Sequence, residues 1–193
     1  MRLSFRPLTD ELWPDLESLF GPRGACAGCW CMYWRGPAKQ FKENSGDPNK
    51  RALRTLVRKG GVPGILAYRG KEPVGWCAIE PREAYPRLEA ARTLKRIDDL
   101  PVWSITCLFV AKEHRRTGVS VALLGAAVKH AKRLGAEWVE GYPTSVAGAK
   151  LPDPWIYTGT EEAFLRAGFT VAARPARTRP IMRYPTRSRS AAR

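Results

Sequence analysis

The chain has 193 residues, with 33 Lys plus Arg against 18 Asp plus Glu and 44% apolar residues. A chain of this size buries roughly 70% of the surface its unfolded form exposes, so one domain can fold without a disulfide or metal scaffold. The longest apolar run, Val119 to Val128, falls short of the ~20 residues that span a bilayer.

Asp10 and Glu11 interrupt the first stretch where a signal peptide needs unbroken apolar residues, and five Cys without a secretory signal suit a reducing compartment. The expectation is a soluble cytoplasmic protein with no membrane partner. The formal net charge of +15 is uneven, because Arg174 to Arg193 holds seven Arg and no acid. Such charge attracts phosphates on any carrier. The basic residues do not interleave with aromatics along one element, which argues against a nucleic-acid partner. Residues 1–184 read as one domain and 185–193 as a basic tail.

Leu3 and Phe5 alternate with polar neighbours, the period of a half-buried strand. Thr9 is placed as an N-cap for a helix carrying Leu12, Leu16, Leu19 and Phe20, stopped by Gly21-Pro22. Gly21 to Gly36 crowds Cys26, Cys29, Cys31, Trp30, Tyr33 and Trp34 into a stretch with neither strand nor helix periodicity. Asp47-Pro48 reads as an N-cap and first-turn proline of a helix ending at Gly60-Gly61. Gly64 to Tyr68 and Pro73 to Ile79 are strand-like and joined by a hairpin turn. After a proline-rich and charged stretch with one short helix, Val102 to Val110 is the most continuous apolar strand, expected at the centre of the sheet.

Gly118 to Leu134 is a long amphipathic helix. Glu137 to Tyr142 is a strand, Thr160 to Ala167 a helix ended by Gly168, and Phe169 to Ala173 and Ile181 to Tyr184 are the last strands. This alternation predicts an α/β (α+β) domain, a mixed sheet with helices on both faces.

Chemistry concentrates in Leu108-Phe109-Val110-Ala111-Lys112-Glu113-His114-Arg115-Arg116-Thr117-Gly118-Val119-Ser120, a strand passing through a basic turn into the long helix. The first helical turn leaves backbone N–H groups unpaired at the positive end of the peptide dipoles, which makes it an anion site. Gly118 lets the backbone approach a bulky ligand, Arg115 and Arg116 add charge, and Ser120 is small.

Here the sequence resembles the GNAT superfamily of N-acetyltransferases. Their acetyl-CoA motif is Arg or Gln, any two residues, Gly, any one, then Gly or Ala. Residues Arg115 to Ser120 match it, with Ser120 in place of the last small residue. Phe164-Leu165-Arg166-Ala167-Gly168-Phe169 matches the family's aromatic and Gly-Phe ending, and the likeness covers nearly the whole chain.

The resemblance implies a mostly antiparallel sheet of six to seven strands with about four helices. Acetyl-CoA would be the co-substrate and a primary amine the acceptor, attacked directly in a ternary complex. It also implies a bulge in Leu108 to Val110 and a splay from Glu137 to Tyr142 that admits pantetheine, with a backbone N–H of Leu108, Phe109 or Val110 polarising the thioester. Thr117, Gly118, Val119 and Ser120 would hold the pyrophosphate.

Relatives place a tyrosine acid where this chain has Phe164, so Tyr157 and Tyr142 become the candidates, Tyr157 first. Ser104 and Thr106 stand where some relatives carry a Glu. Glu80 is then the candidate base, with ordered water as the alternative. In the family, the first inter-helix connection lines the acceptor site, which nominates Trp30, Tyr33 and Trp34 for stacking on the acceptor; covering the sheet edge is the competing role. The loop Tyr142 to Tyr157, with Asp153 and Trp155, would form the opposite wall. Cys26, Cys29 and Cys31 approach zinc spacing but lack a fourth ligand, so no metal is expected. A monomer or homodimer fits this reading. The alternatives are a CoA- or partner-binding domain without catalysis, and, more remotely, a nucleic-acid-binding module.

Overall fold

The computed structural model describes residues 2–146 and 155–187. Asp153 and the tail beyond 187 lie outside the described residues.

Seven strands form one sheet in the order β1-β2-β3-β4-β5-β7-β6. They are β1 (Leu3–Pro7), β2 (Gly64–Arg69), β3 (Glu72–Pro81), β4 (Val102–Val110), β5 (Trp138–Gly141), β6 (Thr170–Ala176) and β7 (Arg179–Pro185). Every neighbouring pair is antiparallel except β4 with β5. The helices are α1 (Trp13–Phe20), α2 (Ala38–Glu43), α3 (Asp47–Arg58), α4 (Arg87–Ala90), α5 (Val119–Arg133) and α6 (Glu161–Arg166).

β4 is central, as its apolar continuity predicts, because helices cover both faces of the sheet and each residue of the strand must be buried on one of them. One face packs α5 and α6 on Ile65, Cys77, Ile79, Ile105, Leu108 and Val139. The other carries α1, α3 and the 21–36 loop on Leu66, Tyr68, Trp76, Ala78 and Cys107. Farther along that second face, Trp34, Tyr85, Leu88, Leu94, Tyr142 and Ile181 form a separate cluster.

Three local expectations shift. Thr9 is extended and makes no capping hydrogen bond, because a 3-10 turn over Asp10–Leu12 intervenes before α1. Gly46, with φ +87°, is the N-cap of α3, and Asp47 is already helical. The 21–36 loop closes through successive turns, with Ala25, Ala27, Trp30 and Cys31 at positive φ. That conformation costs a non-glycine residue about 1–3 kcal/mol unless its surroundings fix it. Here Trp30 stacks on Trp13 at 6.0 Å and Cys31 accepts from Trp76 Nε1 at 3.1 Å.

Candidate active site

The site is built where β4 and β5 part. Their parallel pairing runs from Val102↔Trp138 to Ile105↔Gly141 and ends there. Just beyond, β4 gains one residue against β3: Ala78 pairs with Cys107 and Ile79 with Ile105, so Thr106 is a bulge. A bulge adds twist and bends its strand, which carries the second half of β4 away from β5. The family likeness put this bulge at Leu108 to Val110; the structure puts it at Thr106, turning Leu108 toward the gap. Gly141 at the vertex has no substitute, since a Cβ there would overlap the Phe164 ring.

Tyr142 pins the vertex. It is fully buried, and its hydroxyl lies 2.8 Å from Ser104 Oγ on β4, 2.7 Å from Glu140 Oε1 on β5 and 2.6 Å from Arg82 Nη1. Glu140 also accepts from Arg82 Nη1 at 3.1 Å and from Arg183 Nε at 2.7 Å. Burial, followed by the Glu140 charge, pushes the Tyr142 hydroxyl far above the ordinary phenol range. This tyrosine is committed to structure.

In this structure the chain's own backbone bridges the opening. Leu108 N–H donates to Tyr157 O at 2.6 Å, Thr144 N–H to Gly159 O at 2.9 Å, and Thr144 Oγ1 to Trp155 O at 3.1 Å. Residues 155–159 therefore lie between the diverging strands. Strand alternation aims Val110 N–H at the same edge as Leu108 N–H.

At the far end of β4 the chain turns through Lys112–His114 into α5. Arg116 sits at φ +61° and Gly118, the N-cap, at φ +83°. Arg115 Nε donates to Val110 O at 3.0 Å, and Thr117 Oγ1 to His114 O at 2.7 Å. Arg115 thus braces the turn, while Arg116, Thr117 and Gly118 are exposed. The first turn of α5 has no acidic residue and no side-chain cap, and nothing lies within 4 Å of the place a Gly118 Cβ would occupy. Val119 is buried beneath and Ser120 half-buried beside it. Uncapped N–H groups with open space above them fit a pyrophosphate.

On the face opposite α5, Glu80 pairs closely with Arg35. The Arg35 guanidinium lies 4.8 Å from the centroid of the Tyr85 ring, and its Nη2 donates to the Tyr85 hydroxyl at 3.5 Å. Glu80, Arg35 and Tyr85 therefore form one connected group on this face. Arg35 and Tyr85 carry no sequence signal of this role, since the contacts join separate loops.

The expected aromatic trio divides. Tyr33 meets Trp34 at 4.9 Å and Tyr157 at 6.2 Å, with the Arg87 guanidinium 3.7 Å from its ring centroid. Trp30 does not join them: it is buried between Trp13, Phe20 and the Lys50 ammonium, where the tight turns at positive φ place it. Trp155 is exposed.

Cys26 is exposed and Cys29 half-buried, while Cys31 is buried against Cys107 and Trp76. Among the described residues no group of three His, Cys, Asp or Glu is placed to hold a metal ion.

The acetyltransferase (GNAT) family matches residues 27–144, which include the bulged strand and the α5 turn. The chain belongs to the GNAT acetyltransferase family. This GNAT domain is similar in fold to the PaiA N-acetyltransferase of Thermoplasma acidophilum, solved with coenzyme A; the TM-score is 0.53 at 14% identity, over 96% of this chain and 99% of that one. It is also similar to YncA of Salmonella typhimurium, solved with acetyl-CoA; the TM-score is 0.54 at 13% identity, over 98% and 96%. A Corynebacterium glutamicum structure described as histone acetyltransferase HPA2 and related acetyltransferase gives a TM-score of 0.55 at 20% identity, over 98% and 99%. No curated protein matches the chain in sequence.

Proposed function

We propose that this chain is an N-acetyltransferase that uses acetyl-CoA as co-substrate and acetylates a primary amine by direct attack in a ternary complex. The observation that carries the reading is the splay of β4 from β5, with Leu108 N–H aimed into it and an uncapped helix start at its end. The co-substrate supplies an acetyl thioester, an electrophile that an uncharged amine can attack.

The backbone N–H groups of Gly118, Val119 and Ser120, with the charge of Arg116, hold the pyrophosphate. Val110 N–H, beside Phe109 on the open edge, receives the pantetheine chain. Leu108 N–H is the donor for the thioester carbonyl, and a fixed donor of this kind in a dry site is worth several kcal/mol to a developing oxyanion. To serve so it must release Tyr157 O, and segment 155–159 must draw back from the gap.

Glu80 is the carboxylate on the acceptor face. It orients the ammonium group and accepts its proton, with Arg35 holding the carboxylate in place. Tyr157 is the acid. Burial, then the neighbouring Tyr33, holds its hydroxyl well above the usual phenol range, so it keeps its proton at neutral pH for the leaving thiolate. Tyr33 and Trp34 flank the acceptor; Trp30 keeps the 21–36 loop in shape.

The test is calorimetric titration with acetyl-CoA, followed by a screen of amines for release of free CoA thiol. Saturable binding with amine-dependent thiol release is expected. Binding without turnover on any amine would favour the non-catalytic reading, and absence of binding would remove the assignment.

A further inference from the structure

The arginines around the acceptor face are not equivalent. Arg35 is matched by Glu80, Arg82 by Glu140 and Glu89, Arg183 by Asp98 and Glu140, and Arg174 by Glu161. Arg87 and Arg179 have no carboxylate partner among the described residues, and both are half-buried.

Each has its contacts at the tyrosine pair. Arg87 stacks on Tyr33 at 3.7 Å and spends one N–H on Tyr33 O at 3.2 Å. Arg179 Nη1 donates to Thr158 Oγ1 at 3.2 Å, next to Tyr157. Tyr33 and Tyr157 in turn touch ring to ring. Two guanidinium groups thus lie at the Tyr33–Tyr157 pair, Arg87 from the start of α4 and Arg179 from the start of β7. Both arginines stand outside segment 155–159, and when that segment draws back Arg179 gives up its Thr158 contact and opens its fork to a ligand.

An arginine has five N–H donors, and here most of each fork is unspent. The unspent N–H groups of these half-exposed guanidiniums are open to a ligand, and a planar fork matches a carboxylate or phosphate in bidentate fashion.

We propose that Arg87 and Arg179 recognise an oxyanion carried by the acceptor, so that the acceptor is a small amine bearing a carboxylate or phosphate on the same molecule. This rests on the acetyltransferase reading above. Glu80 then attracts the ammonium end while the two arginines hold the anionic end, a charge pattern complementary to a zwitterion such as an amino acid. A polycationic amine meets two unmatched positive charges and is disfavoured.

The experiment compares matched acceptors by thiol release on the full chain: 4-aminobutyrate against butylamine, O-phosphoethanolamine against ethanolamine, and spermidine. The inference expects each anionic member to exceed its uncharged partner at least tenfold in kcat/KM, with spermidine poorest. The carboxylate and phosphate pairs separate the two sources of the oxyanion. Arg87→Gln and Arg179→Gln should each lower the anionic-to-uncharged ratio about tenfold, an effect expected of a lost hydrogen bond to a charged group. Arg87→Lys should restore part of the ratio, which a merely structural stacking role would not do.

Because the readout is a ratio within one variant, a general loss of fold or activity cancels. Calorimetric binding of N-acetyl-4-aminobutyrate, weakened in both Gln variants, gives a second readout without turnover. If uncharged or cationic amines are preferred, or the ratio is the same in the variants, the inference falls while the enzyme stands. If no amine turns over although acetyl-CoA binds, the enzyme reading fails and the inference falls with it.

Discussion

Gly118 offers a direct perturbation of the proposed cradle. Its φ of +83° is left-handed, and a Cβ there meets nothing within 4 Å. Gly118→Ala therefore carries a backbone cost of about 1–2 kcal/mol with no clash. In a chain of this size that lowers Tm by roughly 2–4 °C per kcal/mol. Gly118→Trp carries the same backbone cost but places an indole over the first-turn N–H groups. If that blocks two hydrogen bonds to a charged phosphate, each worth about 1.5–3 kcal/mol, acetyl-CoA affinity falls by more than about 100-fold. Thermal unfolding monitors the shared cost and calorimetry the difference. The two variants should melt together while only the Trp variant loses acetyl-CoA. Equal affinity of Ala and Trp variants would refute the placement of the pyrophosphate.

Further outcomes follow from the same geometry. Tyr157→Phe should reduce kcat about 100-fold, the lower end for a general acid, with acetyl-CoA affinity within about twofold; an unchanged kcat removes Tyr157 as the acid. Glu140→Ala removes one of the two carboxylates that each of Arg82 and Arg183 holds, leaving Glu89 and Asp98, and should cost about 2–3 kcal/mol by urea unfolding, as expected of lost hydrogen bonds to charged groups; a loss below about 1 kcal/mol would show that the network does not hold the vertex. His130 is buried with Nε2 unpartnered, and burial followed by Arg133 lowers its pKa from the usual 6.5. The unfolded chain then binds this proton first as pH falls, so stability declines from about pH 6.5 down to the folded value. His130→Leu should flatten the stability-pH curve in that interval, and an equal slope would contradict the assignment.

Much of the fold was legible because its cues are local. The apolar continuity of Val102 to Val110, the stripe of α5 and the glycines at 60, 70, 118, 135 and 168 set element type and position within a few residues. The uncapped start of α5, where the cradle is proposed, was legible for the same reason, since one helix start and its flanking turn make it. Caps were less so: Thr9 and Asp47 are sound cap residues by type, but the packing of a 3-10 turn and the conformation of Gly46 moved the starts.

The remainder of the site was not local. Aromatic type alone did not distinguish Trp30, which the turns of the 21–36 loop drive into the core, from Tyr33 and Trp34, which gather with Tyr157 and Arg87. Glu80 was visible as a strand-end acid, whereas its partner Arg35 comes from a different loop. The bulge at Thr106 depends on the register of β4 against β3, which no periodicity within β4 reports.

By itself, then, the sequence determined the order of elements, the central strand and the uncapped, glycine-led start of α5, because periodicity and glycine conformation act over a few residues. The tertiary structure decided that β5 leaves β4 after Gly141, that Tyr157 O takes Leu108 N–H, and that Arg87 and Arg179 flank the same tyrosines. Those contacts join segments far apart in the chain, and sheet register, which only the whole domain sets, determines which of them meet.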